Sequence, residues 1–375
     1  MRTKFAVISA VSLVLFTSCG QRSTSVDTPA KTEKSMPLEY ADQFAVDFLD
    51  DGCSLITIGS DEYLLVPEGG EVPENSGGAA VIRQPLENIY VAASAAMDLF
   101  NGIDGLDSVT MTSTDSRNWT IPDIAEAVES GEIAYIGKYS MPDYEALVET
   151  DCGLAIENTM IYHNPETKEK IEQLGIPVLV ERSSYESHPL GRMEWIKLYG
   201  LLIGKYEEAE RFFAEKTAVF NDLPSVDIPE EQRKTAAFFY VGSGGYMNVR
   251  KPGDYITKMI ELAGGRYIFT ADDLNVDDNA LSTMNIQIET FYELAKDADI
   301  LIYNSTIERA PESIDDMVKM CDILGDFKAV KSGDVWCTEQ NMFQQTTGEA
   351  DMMTDLSRIF GGTAEDSLTY LHRLE

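Results

Sequence analysis

Histidine is nearly absent from this 375-residue chain: His163, His188 and His372 are the three present, at no paired ligand spacing. A zinc or imidazole-based catalytic centre would have to be assembled from distant pieces. Cysteine is also sparse, with five residues and no CxxC pair, so neither a zinc knuckle nor a dithiol redox motif is written here. Positive charge is scarce too: 29 Lys and Arg stand against 64 Asp and Glu, a net charge of −35. Such a surface repels nucleic acid and anionic lipid alike, because phosphate is bound by Lys and Arg. No apolar run is long enough to span a bilayer, which needs about 20 residues. GLLIGKY is one residue short of a phosphate-binding P-loop, and GSGGY is not the G-x-S-x-G elbow of a hydrolase. No repeat of fixed period is visible, which argues against an adhesion array.

What is present begins at the N-terminus. Arg2 and Lys4 precede a short apolar run from Phe5 to Phe16, followed by Thr17, Ser18 and Cys19. The run has the length of a secretory h-region. The ending FTSC resembles a bacterial lipobox, with Phe16 where leucine is usual. The expectation is a signal peptide over residues 1–18, lipidation at Cys19, and an extracytoplasmic chain held to the membrane by lipid. Removing residues 1–18 takes away two basic residues and no acid, so the acidic excess grows. Residues 19–38, rich in Ser, Thr, Lys and Pro, read as a flexible tether. The compartment permits disulfides, yet sequence alone does not pair Cys53, Cys152, Cys321 and Cys337.

Beyond the tether the pattern is strand and helix in alternation. FAVDFLDDGCSLITIG, YLLVPEGG and NIYVAAS read as strands; PDIAEAVESG, MPDYEALVETD and NPETKEKIEQLG read as helices; EIAYIGKY, CGLAIENT and IPVLVE read as strands between them. This argues for a parallel α/β lobe over residues 39–188. Residues 189–222 carry Trp195, Tyr199, Leu202, Tyr206, Ala209 and Phe213 at helical spacing, interrupted only by Gly200 and Gly204, and predict one long bridging helix. A Pro-rich break follows, then a second α/β lobe over residues 223–375. The lobes echo each other: DCGLAIENT and DADILIYNST both end a strand on asparagine, Asn158 and Asn304, seven residues after an aspartate.

In this order, YIGKYSMPDYEALVETDCGLAIENT, GRMEWIKLYGLLIGKYEEAERFF, ITKMIELAGGRYIF and ILGDFKAVKSGDVWC resemble the substrate-binding lipoproteins of ABC importers for iron–siderophore, haem and vitamin B12. The resemblance implies two α/β lobes bridged by a long helix, a ligand cleft between them, and no catalysis. It implies a metal chelate as ligand and permease subunits as partners, with no cofactor of the protein's own. It also places the docking glutamates of that family on Glu145 and Glu261. We expect a monomer. The alternatives are an exported hydrolase and a binder of a different small solute.

Aromatic residues in loops after strands are candidate ligand contacts, since such sites join apolar walls to a few polar groups. They are Trp119, Tyr139, Tyr246 (in GSGGYMNVR, where glycine would let backbone approach a ligand) and Trp336. Arg117, Arg192 and Arg250 are candidates for an anionic group. Haem would need an axial tyrosine or histidine. His188 is the one histidine to consider, and a helix cap or packing explains it as well.

Overall fold

The computed structural model describes residues 35–73, 77–221 and 228–375. The signal segment and Cys19 lie outside them. Four strands, β1 (Phe44–Phe48), β2 (Ser54–Ile58), β3 (Asp61–Val66) and β4 (Ala80–Arg83), form a first sheet in that order. The N-terminal lobe then builds a second sheet from β5 (Ile89–Val91), β6 (Val109–Thr112), β7 (Ala134–Tyr135), β10 (Leu154–Asn158) and β11 (Val178–Glu181), with a small hairpin of β8 (Gly137–Lys138) and β9 (Met141–Pro142) between β7 and β10. Its order is β11-β10-β5-β6-β7 and every pairing is parallel. Strands buried on both faces need near-continuous apolar runs, which is what IYV and VLV supply.

The C-terminal lobe carries a mixed sheet of β12 (Thr235–Gly242), β13 (Tyr246–Arg250), β14 (Arg266–Tyr267), β15 (Thr283–Ile286), β16 (Ile300–Tyr303), β17 (Val335–Thr338) and β18 (Leu371–Arg373). β12, β16 and β17 run parallel in its centre; β13 pairs antiparallel with both β12 and β15, and β18 pairs antiparallel with β17. The α/β expectation for two lobes therefore holds.

The single bridging helix does not. Residues 189–221 fold as three helices, Pro189–Glu194, Ile196–Leu202 and Tyr206–Asn221. Gly204 takes a left-handed φ of 74° and ends the second, and Lys205 N–H returns to the Gly200 carbonyl at 2.7 Å. A side chain at Gly200 would stand 2.6 Å from Ala209 Cβ, so this glycine lets the third helix turn and pack against the second. The apolar periodicity marked the buried face and ran straight through the break.

The tether also ends earlier than expected. Ser35 and Met36 already pair with β1, and Met36 is buried. The buried Glu194 carboxylate accepts the backbone N–H groups of Glu39, Tyr40 and Ala41 at 2.8–3.0 Å, and Lys197 Nζ at 2.7 Å. Glu186 accepts from Asp42, Gln43 and the Trp195 indole. Glu194 on the bridge and Glu186 just before it thus satisfy amides of the incoming chain, which would otherwise be buried unpaired.

Candidate functional site

A cavity of about 620 Å³ opens between the lobes, and most of the segments lining it follow or end a strand. From the N-terminal lobe come Ser94, after β5, and Arg117, Asn118 and Thr120, after β6. From the C-terminal lobe come Tyr240 on β12, Asn248 and Arg250 on β13, and Thr283 on β15. Asn304, Thr306 and Ile307 follow β16; Gln340, Phe343 and Gln344 follow β17. Ligands of open α/β sheets bind outside the carboxyl ends of the central strands, and this cavity occupies that place in both lobes.

Local geometry fixes several of these groups. Asp115 accepts Arg117 N–H at 3.1 Å and holds its guanidinium at 2.8 Å, so Arg117 projects from a tight turn, its charged form favoured by that carboxylate. Arg250 lies over the Phe343 ring at 4.8 Å and the Phe238 ring at 5.4 Å, with Asp254 at 3.5 Å. Burial, together with Tyr246 and Glu308, raises the phenol pKa of Tyr240. Gln344 bridges the lobes: its Oε1 accepts from Thr120 N–H (2.9 Å) and Oγ1 (2.7 Å), and its Nε2 donates to the Asn118 carbonyl (2.7 Å).

Of the sequence candidates, Arg117 and Arg250 line the cavity. Trp119, Tyr139, Tyr246, Trp336 and Arg192 are not among its lining residues. Trp119 is 6% exposed and donates to the Thr114 carbonyl; it anchors the loop from inside. Tyr139 packs, half-buried, against a cluster containing Leu147 and Ile171 in its own lobe. Tyr246 folds its ring onto its own hairpin, where a Cβ on Gly242 would come within 2.3 Å of it. The glycines of GSGG make room for that ring rather than for a ligand. Trp336 is fully buried on β17 beneath Arg373. Arg192 is buried against Glu349 at 2.5 Å and over the Tyr255 ring at 4.2 Å.

His188 caps the helix Pro189–Glu194 through Nδ1, stacks on Tyr40 at 4.7 Å, and has its pKa lowered to about 4 by burial. Glu145 and Glu261 are exposed on the helices Tyr144–Glu149 and Tyr255–Leu262, outside the cavity lining.

The amide and hydroxyl residues of the lining escaped the sequence reading, with one partial exception. The echoed asparagines adopt the same turn: Asn158 Oδ1 accepts Met160 N–H at 2.9 Å, and Asn304 Oδ1 accepts Thr306 N–H at 3.1 Å. The repeat thus pointed at a cavity residue, Asn304.

Two α/β lobes with a polar cleft at their strand ends define a solute-binding protein. Residues 89–341 match the family described as periplasmic binding protein, and the chain belongs to that family. It is a family of binding proteins, not of enzymes, and places the chain outside the cytoplasmic membrane. An uncharacterized lipoprotein of Methanocaldococcus jannaschii is 28% identical over 74% of this chain and 66% of its own length, so the chain spans just under two thirds of that relative. Among solved structures, the periplasmic heme binding protein HutB of Vibrio cholerae is similar with a TM-score of 0.56 at 16% identity, covering 72% of this chain and 98% of its own. An ABC-type Fe3+-hydroxamate transport system from Saccharomonospora viridis gives 0.57 at 19% identity, covering 74% and 94%.

Proposed function

We propose that this protein is the extracytoplasmic substrate-binding component of an ABC importer. It captures a metal chelate of the iron(III)–siderophore, haem or cobalamin kind between its lobes and delivers it to a membrane permease. The observation that carries the reading is the inter-lobe cavity at the strand ends, lined by both lobes and bridged by Gln344. The similarity to haem-binding and Fe3+-hydroxamate transport structures supports the ligand class. Cys19 supplies the lipid anchor, and Glu145 and Glu261, exposed on different lobes, pair with permease arginines through charge-assisted contacts.

Trp119 sits in the loop that carries Arg117, so its fluorescence reports on the cavity. Titration with ferric siderophores, haem and cobalamin should give saturable quenching with at least one. Failure with every chelate, alongside binding of an amino acid or turnover of an ester, would sink the reading. Intact-mass analysis of the membrane-extracted protein tests the anchor, and an unmodified N-terminus would refute it.

A further inference from the structure

The chemistry of the cavity narrows the ligand, and this step rests on the chelate-binding reading above. In a chain with 64 acids, the lining holds two arginines and, among the described residues, no carboxylate. It has no imidazole or thiol either, so it offers hydrogen bonds and positive charge rather than metal ligands. Its apolar members are Ile307 and Phe343, and the Phe343 ring is already covered by the Arg250 guanidinium. A flat tetrapyrrole wants the opposite: apolar walls, and an axial tyrosine or histidine on its iron. Tyr240 is the one phenol of the lining, and its surroundings keep it protonated.

The donors are directed. Asn304 is 3% exposed, and its Oδ1 is committed to the N–H and the hydroxyl of Thr306. A backbone N–H only donates, which fixes the amide orientation and leaves Nδ2 for the cavity. Arg117 and Arg250 each keep guanidinium hydrogens beyond their contacts with Asp115 and Asp254. Ser94 opens the helix Ser94–Gly102, whose N-terminus has no side-chain cap. Acceptors are fewer. Asn248 donates Nδ2 to Asn285, and Gln340 donates Nε2 to the Ser305 carbonyl, so each retains its side-chain oxygen. Glu308, near Tyr240, is turned to the Ser243 amide at 3.4 Å. The complement of many donors with a few acceptors is an anion rich in oxygen that also carries hydroxyl groups.

We infer that the solute is a hydroxycarboxylate-type metal chelate, a compact complex with carboxylates and hydroxyls on its outside, held by Arg117 and Arg250 and oriented by Asn304. Such a ligand needs no coordination from the protein, since its metal arrives already chelated.

The test is calorimetric titration of the purified protein with ferric citrate, metal-free citrate, ferric desferrioxamine, haemin and cyanocobalamin. Ferric citrate should bind, more tightly than metal-free citrate and more weakly as salt is raised. Arg250→Gln and Arg117→Gln should each weaken it roughly ten- to a hundredfold, the loss expected for a charge-assisted contact. Arg117 stands on an exposed turn, so its variant reports on binding even if Arg250→Gln disturbs packing. Binding of haemin, cobalamin or the hydroxamate without ferric citrate overturns this inference and leaves the importer reading standing. Equal affinity for metal-free citrate overturns the chelate, and binding of none of the five overturns both. Ferric citrate binding that neither arginine variant weakens overturns the assigned anion contacts.

Discussion

Glu157 offers the cleanest test of the buried electrostatics. It lies fully buried near the end of β10, and neither carboxylate oxygen has a hydrogen-bond partner. Burial raises its pKa from the ordinary 4.5 to about 8. The sign follows from linkage. An acid whose folded pKa is raised gives full stability below its unfolded pKa and loses it as pH climbs, because the unfolded chain releases its proton first. Across the whole interval from 4.5 to about 8 the loss is about 5 kcal/mol, at about 1.4 kcal/mol per pH unit. Between pH 5.5 and 8.5 it is roughly 3 kcal/mol. Glu157→Gln replaces the acid by a near-isosteric amide that cannot ionise. The stability of the variant relative to wild type should therefore grow by roughly 3 kcal/mol between pH 5.5 and pH 8.5. Urea unfolding followed by circular dichroism at a series of pH values measures the gap. Asp98, Glu186 and Glu349, with pKa values raised to about 6, 7 and 7, titrate in both proteins and largely cancel in the difference. A gap that does not change with pH would refute the reasoning, since Glu157 would then ionise freely.

Arg192→Met leaves Glu349 buried without its cation and should cost about 3–5 kcal/mol, while Arg192→Met with Glu349→Leu should recover much of that; thermal unfolding decides, and a single variant no worse than the double would contradict it. Gln344→Ala removes three bonds across the cleft, a bias of about 1–3 kcal/mol toward opening. Distances between labels on the two lobes should lengthen, and an unchanged distribution would show that the bridge does not hold the lobes. Charge reversal of Glu145 or Glu261 to Arg should leave ligand affinity unchanged and weaken permease binding most at low salt. Normal uptake by both variants would make them ordinary surface acids.

The lobes were legible because alternation and turn residues act over short stretches. CGLAIENT reads as a strand from its own residues, although in the sheet it lies between β11, the next strand, and β5, a distant one. The bridge failed because helical periodicity describes a face and not an axis: residues 196 to 213 keep a buried stripe while Gly200 and Gly204 let the chain turn. The aromatics failed for another reason. Trp119 and Tyr246 do lie in or beside loops after strands, but a large ring there is as useful for anchoring the loop from beneath as for meeting a ligand, and Trp336 sits within β17 itself. Sequence does not say which way such a ring turns. The arginines divide on the same ground. Arg192 has a dedicated buried acid 157 positions away, which no local pattern reveals, whereas Arg117 has its acid two residues before it and Arg250 four residues after it, and both keep donors to spare.

That division also says why a chain so acidic can hold an anion. Most buried acids here are given partners within the fold. Glu194 has three backbone amides and a lysine, Glu186 two amides and an indole, Asp98 the Thr347 amide, and Glu349 the Arg192 guanidinium. Glu157 apart, the acids are thereby given partners or sent to the surface, where solvent screens them beyond about 8 Å at physiological salt. The same pairing saturates Arg192. Arg117 and Arg250 are left half-paired, in a cavity where the lobes meet and no carboxylate is among the described lining residues. Both guanidiniums keep unmet hydrogen-bonding capacity in the cleft where the lobes meet, and a ligand seated on them would exclude water and strengthen the charge-assisted bonds. The anion that fills it completes an arrangement the protein makes for its own carboxylates elsewhere, so selectivity resides in the cleft walls and not in the overall charge, which repels the same ligand from every other face.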